Sequence, residues 1–226
     1  MNMDEVVKTR YPRRQERARA TRRAILAAAR DLFVTQGYGA TSLQAVGDRA
    51  GVAVQTVYAV FRNKRSILAE VLDVSIAGDD EQIVVNAREW MQPVWTAPTA
   101  ADRLRAYAAA VRQIMDGAGE VFAVVAAAAT SDPDLIELAE ITEQRRRTGA
   151  ATVIESIRSV GQLRPGLAPE RAVDVLWLLN SPAIFGHLVR RAGWTPDEYE
   201  AWLAEAMTRE LLDPSPPSRR PNRRTT

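Results

Sequence analysis

Across residues 41–65 two short helical rhythms of apolar positions are separated by a glycine. Leu43, Val46 and Ala50 recur at i, i+3 and i+7, the spacing of one buried helix face. Thr41 reads as the N-cap, and Gln44 three residues later completes a capping box. Gly51 follows where a chain leaving a helix needs a residue tolerant of positive φ. A second helix restarts near Ala53 with Val57, Val60 and Phe61 inward, which leaves Gln55, Tyr58, Ala59 and Arg62 on the opposite face. Two short helices at a sharp angle, the second with polar and aromatic groups outward, form a helix-turn-helix of the shape that enters a DNA major groove.

The flanking pattern is helical too. Thr21 caps a helix that turns Ile25, Ala28, Ala29, Leu32 and Phe33 inward and ends at Gly37-Tyr38-Gly39. A fourth helix over 63–76 buries Ile67, Leu68, Val71 and Leu72 and stops at Gly78-Asp79-Asp80. Beyond it the pattern predicts a helix over 82–90 ended by Pro93 and Pro98, then one from Thr99 to about Asp116. Residues 118–130 are apolar nearly all round, the mark of a central helix. Ser131-Asp132-Pro133 opens a long helix to about Val160, and Ala168-Pro169-Glu170 starts another that Pro182 must kink or restart. Thr195-Pro196-Asp197-Glu198 combines a cap, a first-turn proline and acids on the helix dipole. The helix it opens carries Tyr199, Trp202, Leu203, Ala206 and Leu211 and stops at Pro214. No strand pattern and no repeat is present. The reading is an all-α chain in four parts: a flexible basic arm over 1–20, a helix-turn-helix DNA-binding domain over 21–66, a helical effector-binding and dimerisation domain over 67–213, and a disordered basic tail over 214–226.

Charge sharpens this division. The formal net charge of +2 conceals thirteen Lys/Arg against five Asp/Glu in residues 1–65, four Arg and no acid in 219–226, and a net −10 between them. A basic head on an acidic body suits a nucleic-acid reader with a separate partner domain. Arg10, Arg13, Arg14, Arg17 and Arg19 in the arm can lie along phosphates or enter the minor groove. With no cysteine, disulfides and thiolate chemistry are excluded. The longest membrane candidate, 175–189, is broken by Asn180, Ser181, Pro182, Gly186 and His187, and the N-terminus lacks a signal-peptide core, so a cytoplasmic location is expected. An enzyme is disfavoured: His187 is the single histidine, no glycine-rich phosphate loop appears, and clusters such as Asp79-Asp80-Glu81 lack His partners for a metal. No cofactor is expected.

The runs TRRAILAAARDLFVTQGYGATSL and GVAVQTVYAVFRNKRSIL, in that order, resemble the DNA-binding domain of TetR/AcrR-type transcriptional regulators over residues 21–72. Four positions depart from the family's usual pattern: Gly47 for Ala, Ala53 for Ser, Gln55 for Gly, and Ala59 for His or another large residue. The last two lie on the outward face, so no relative's operator can be borrowed. Thr41, Gln55, Thr56, Tyr58, Ala59, Arg62 and Lys64 are the candidate DNA contacts. Gln55 is the base reader, since its amide can pair bidentately with adenine; Thr56 can bond phosphate or touch a thymine methyl. Tyr58 resembles the family's phosphate-contacting tyrosine, and Thr41 and Lys64 sit at helix starts that favour phosphate.

One such helix reads too few base pairs to find an operator, so a homodimer on a palindromic duplex is expected. Residues 172–207 resemble, more loosely, the family's C-terminal dimer interface; Trp177, Leu178, Trp202, Leu203 and Met207 are its candidates. The resemblance also implies a small-molecule effector and a repressor released by it. Candidate pocket residues are Trp90, Met91, Tyr107, Met115, Phe122, Trp177 and Phe185, with Asn180 and His187 as polar anchors. Their composition favours a largely apolar effector. A regulator with no small ligand, controlled by a protein partner or constitutive, stays open beside that reading.

Overall fold

The computed structural model describes residues 3–81 and 83–213, with side chains from Arg14 onward. Among these residues it is all-α, with one isolated antiparallel bridge between Leu163 and Leu212. The helices are α1 (Met3–Gln36), α2 (Leu43–Ala50), α3 (Val54–Phe61), α4 (Lys64–Ala77), α5 (Gln92–Thr96), α6 (Ala100–Ala128), α7 (Pro133–Arg158), α8 (Pro169–Leu179), α9 (Pro182–Phe185) and α10 (Pro196–Leu211). The chain divides into two compact units, Met1–Val85 with Ile114–Thr142, and Asn86–Gln113 with Glu143–Thr226.

In the first unit α1 packs on α2 and α4, and α2 on α3. Ile25, Ala29, Phe33, Val46, Val57, Ile67 and Leu68 are the closed centre of this packing, none more than 1% exposed. Asn63 caps α4 by accepting from Ser66 N at 2.8 Å, and Gly78 ends it at φ 88°. The stretch expected as an irregular arm instead continues α1, which starts at Met3; Arg14 to Ala20 are exposed. Arg, Gln, Glu and Ala are all good helix formers, so the helix extends past the residues that pack.

Three other expectations change. Of the helix expected over 82–90, residue 82 lies outside the described residues and 83–90 form no α-helix, only 3₁₀ turns at Val85–Ala87 and Glu89–Met91. Ile83 and Val84 are 45% and 73% exposed, so the apolar face that would have stabilised a helix there is not buried. The two helices expected on either side of residue 117 are one, α6. Gly117 is a close-packing residue rather than a break: a Cβ there would lie 2.7 Å from the Ser75 carbonyl oxygen of α4. Finally, 118–130 is not buried all round; Val121, Phe122 and Val125 are buried while Ala123, Ala126 and Ala127 are exposed.

In the second unit Leu104, Ile154, Ile157, Leu176, Tyr199, Leu203 and Met207 are the closed centre, and α10 packs against α8. Pro182 restarts the helix, as its missing N–H requires: α8 stops at Leu179, Ser181 caps the four-residue α9, and Gly186–Arg191 follows as a π-helical turn. The run Pro169–Arg191 is apolar enough by length and composition to cross a membrane, with mean hydropathy 1.4 and only 22% of it buried. It is nonetheless broken into pieces of 11, 4 and 6 residues.

α10 starts with a complete capping box. Glu198 N donates to Thr195 Oγ1 at 3.2 Å, and Thr195 N donates to Glu198 Oε2 at 2.7 Å. These bonds from Thr195, backbone first, hold the Glu198 carboxyl below its usual pKa. The box is therefore complete above the ordinary glutamate pKa and fades as pH falls through the lowered one. Thr195→Ala is expected to cost about 1 kcal/mol and lower Tm by about 2–4 °C. Thermal unfolding at neutral pH checks this, and an unchanged Tm would mean α10 is held by packing alone.

Candidate nucleic-acid interface

The corner between α1 and α2 decides which hydroxyl faces outward. Thr41, expected as cap and phosphate ligand, is 2% exposed, and its Oγ1 donates to the Gly37 carbonyl at 2.9 Å. The N-cap is Ser42, whose Oγ accepts from Ala45 N at 3.1 Å from an extended backbone (φ −100°, ψ 155°). Gln44 does not complete a box; its Nε2 donates to Asp48 Oδ1 at 2.7 Å. Ser is a somewhat better N-cap than Thr, and burial of the corner removes the Thr41 hydroxyl from the choice. Ser42 is the exposed residue that the sequence pattern passed over.

The turn from α2 to α3 uses Gly51 at φ 69° and lies directly over Gly47. A Cβ on Gly47 would come within 2.9 Å of the Val52 carbonyl oxygen, and Val52 N donates to the Gly47 carbonyl at 2.9 Å. Glycine in a helix interior costs about 1 kcal/mol, offset here by the close approach that seats α3.

α3 has no side-chain cap at Ala53 and is held by its inner face, Val57 at 0% and Phe61 at 4% exposure. The Arg22 guanidinium lies 4.7 Å over the Phe61 ring and also pairs with Glu70 through Nε and Nη2. On the outer face Gln55, Tyr58 and Ala59 are exposed, and Thr56 is half-buried. Tyr58 is 55% exposed, far more than a packing aromatic. α3 then leaves through a γ-turn: Arg62 takes φ 61°, ψ −54°, and Asn63 N donates to the Phe61 carbonyl at 2.6 Å. Among the described residues Arg62 alone has positive φ without being glycine. Such turns are rare and strained, and this one carries an exposed arginine at the end of the outward face.

Lys64, expected as a phosphate contact, is also bonded within the protein. Its Nζ donates to the Tyr38 carbonyl at 2.8 Å and the Thr41 carbonyl at 2.9 Å, and it sits 4.2 Å from the Tyr38 ring centre. Burial lowers its pKa. Two of its three N–H donors thus pin the start of α4 to the α1–α2 corner, leaving one for a phosphate. Arg49 is exposed and paired with Asp31.

The remaining candidates separate. Met115 and Phe122 are buried in the first unit, while Met91, Tyr107, Asn180 and Phe185 are buried in the second. Trp90 and Trp177 are half-buried. His187 is exposed, with Nδ1 2.7 Å from the Ala183 carbonyl. Of the proposed dimer residues, Leu203 and Met207 have no exposed surface and belong to the core of the second unit; amphipathic spacing looks the same for core and interface. Leu178 is 62% exposed, and Trp177 and Trp202 are half-buried.

Residues 25–71 match the family model of bacterial regulatory proteins, tetR family. No curated protein matches the chain. Among solved structures, it resembles the SmeT–triclosan complex (TM-score 0.67, 19% identity, 87% of this chain and 93% of that one). It also resembles NalD, the secondary repressor of the MexAB-OprM multidrug efflux pump in Pseudomonas aeruginosa (TM-score 0.61, 24% identity, 86% and 98%). A third is a transcriptional regulator from Saccharomonospora viridis in complex with choline (TM-score 0.65, 18% identity, 85% and 97%). At these identities the structural likeness is one of fold.

Lys64→Met keeps the stem and removes the ammonium, stranding two carbonyls at the corner. The expected result is a loss of about 2 kcal/mol in denaturant unfolding, separate from any loss of phosphate binding. Unchanged stability with weakened DNA binding would show that the ammonium serves DNA alone.

Proposed function

We propose that this chain is a TetR-family transcriptional regulator, a DNA-binding protein that works as a homodimer on a palindromic operator and as a repressor released by a small, largely apolar ligand. The observation that carries the DNA reading is α3 itself. Its inner face is closed by Val57 and Phe61, and its outer face presents Gln55, Tyr58 and Ala59. In this reading Gln55 reads a base edge and Arg62 extends the same surface. Ser42, Thr56, Tyr58 and the third N–H of Lys64 hold phosphates, and Thr41 supports the corner from inside. The exposed Arg14, Arg17 and Arg19 on α1 add to the positive surface.

The dimer is supported by the second unit. Pro169–Arg191 is apolar yet only 22% buried within the chain. Leu178 is 62% exposed on it, and Trp177 and Trp202 are half-buried. Covering the exposed Leu178 and the half-buried Trp177 beside it in the chain removes apolar surface from water, and a two-fold pair supplies the second reading helix that specificity needs. The effector reading draws on neighbours of the same fold solved with triclosan and with choline, and on the aromatic interior of the second unit. A ligand releases DNA only by binding one arrangement of the two heads better than the other. The cytoplasm is where such a regulator meets DNA.

Selection of sites from random duplex DNA, with affinity followed against salt, tests the proposal. A recovered palindrome with a steep salt slope is expected; no enrichment by a folded dimer would contradict it. Gln55→Ala is expected to relax base preference at one position in each half-site, costing about 1–3 kcal/mol of discrimination. An unaltered selected sequence would dismiss Gln55 as a reader. Leu178→Glu is expected to shift the protein to monomer in sedimentation and to abolish binding to the full palindrome. A dimer that persists would place the interface elsewhere.

A further inference from the structure

Inside the second unit an unusual set of polar groups converges. The Arg146 side chain is only 12% exposed. It donates from NH2 to Asn180 Oδ1 at 2.6 Å and to the Trp177 carbonyl at 3.1 Å, and from NH1 to Glu143 at 2.5 Å. Asn180 Nδ2 in turn donates to the Tyr107 hydroxyl at 2.7 Å, and Trp177 Nε1 donates to Glu143 at 3.0 Å. Next to this network lies Tyr199, with 0% exposure, whose hydroxyl has no hydrogen-bond partner. Tyr107 and Arg146 both act on it electrostatically.

A buried unpaired hydroxyl is costly and rare. Burial keeps both phenols un-ionised, so each carries an O–H to donate. The Tyr107 oxygen accepts from Asn180, while its own proton is spent on none of these partners. Glu143 already balances the Arg146 charge. What the cluster lacks is an acceptor.

The backbone at the same place is built to give. α8 ends at Asn180, the amide at the centre of the network, and α9 restarts at Pro182. The π-helical turn Gly186–Arg191 follows Phe185, whose ring meets Tyr199 edge-on at 5.0 Å. Helix breaks and π-turns are recurrent at functional sites because their hydrogen bonds re-form at little cost.

The geometry points to an effector subsite bounded by Tyr107, Arg146, Asn180 and Tyr199, which takes an aromatic molecule bearing an acceptor oxygen, as a carbonyl or a carboxylate. This rests on the ligand-released regulator reading above. The oxygen receives the Tyr199 and Tyr107 O–H donors beside the guanidinium, and the ring lies against Phe185. Entry opens the break at residues 180–182, so occupancy changes how α8 and α9 are held.

The test uses the full-length protein with acetophenone, benzoate and ethylbenzene at matched millimolar concentrations, read by thermal shift and calorimetry. Acetophenone or benzoate, or both, stabilise the wild type more than ethylbenzene does, and which of them does so decides between carbonyl and carboxylate. Tyr199→Phe without ligand melts about 2–4 °C higher because the unpaired hydroxyl is gone, and it loses about tenfold in affinity for the oxygen-bearing probe. Tyr107→Phe is expected to lose affinity likewise. Equal stabilisation by ethylbenzene, no stabilisation by either oxygen probe, or unchanged affinity in Tyr199→Phe overturns the subsite. So does a lower Tm of ligand-free Tyr199→Phe, which would mean that a buried water already satisfies the hydroxyl. Anisotropy with the selected duplex is measured alongside. A probe that binds through Tyr199 without weakening DNA binding upholds the subsite and removes the release mechanism.

Discussion

An eight-residue helix is too short to exist alone in water, so everything this protein presents to DNA depends on burying Val57 and Phe61 beneath α3. With no side-chain cap at Ala53, the helix draws its stability from that inner face, from Arg22 over the Phe61 ring, and from the turn that lies on Gly47. Lys64 extends the same logic by tying α4 to the carbonyls of the α1–α2 corner. The outward face is thereby fixed before DNA arrives. In the proposed reading, side chains that contact bases gain from this, because a rigid platform leaves only rotamer freedom to lose on binding.

Much of this was legible in the sequence, and the exceptions have physical causes. Periodicity located α2, α3 and α4, because their buried positions recur at helical spacing and glycines end α2 and α4 at positive φ. The Thr195 cap was equally plain, since its partners are local; that Glu198 closes a capping box rather than only facing the helix dipole is seen in the structure. What failed was decided by contacts distant in sequence. Thr41 and Ser42 differ as caps chiefly in which one the corner buries. Gly117 reads as a break until Ser75 of α4 is found lying against it. Leu203 and Met207 carry an interface-like spacing, yet face the core of their own unit.

The two units solve different problems with charge. On the first, arginines of α1 and the α3–α4 turn are left in solvent, where long-range attraction to phosphate is useful. In the second, Arg146 is taken inside and neutralised by Glu143, and its Nη2 finds the Trp177 carbonyl and the Asn180 amide oxygen. The Glu143 side chain is 46% exposed, and an ion pair open to water on one side adds little net stability. Its value is better sought in what it orients, namely the Asn180 amide, the Tyr107 hydroxyl and the helix break between them.

The central claim is that the outer face of α3 is the surface that touches DNA. The most direct measurement is the NMR spectrum of the labelled protein titrated with its selected duplex. Large shifts are expected for the amides of Ser42, Gln55, Thr56, Tyr58, Ala59 and Arg62 and for the Gln55 side-chain NH₂, with Val57 and Phe61 side chains little changed. Shifts that spare α3 and gather on another surface would contradict it.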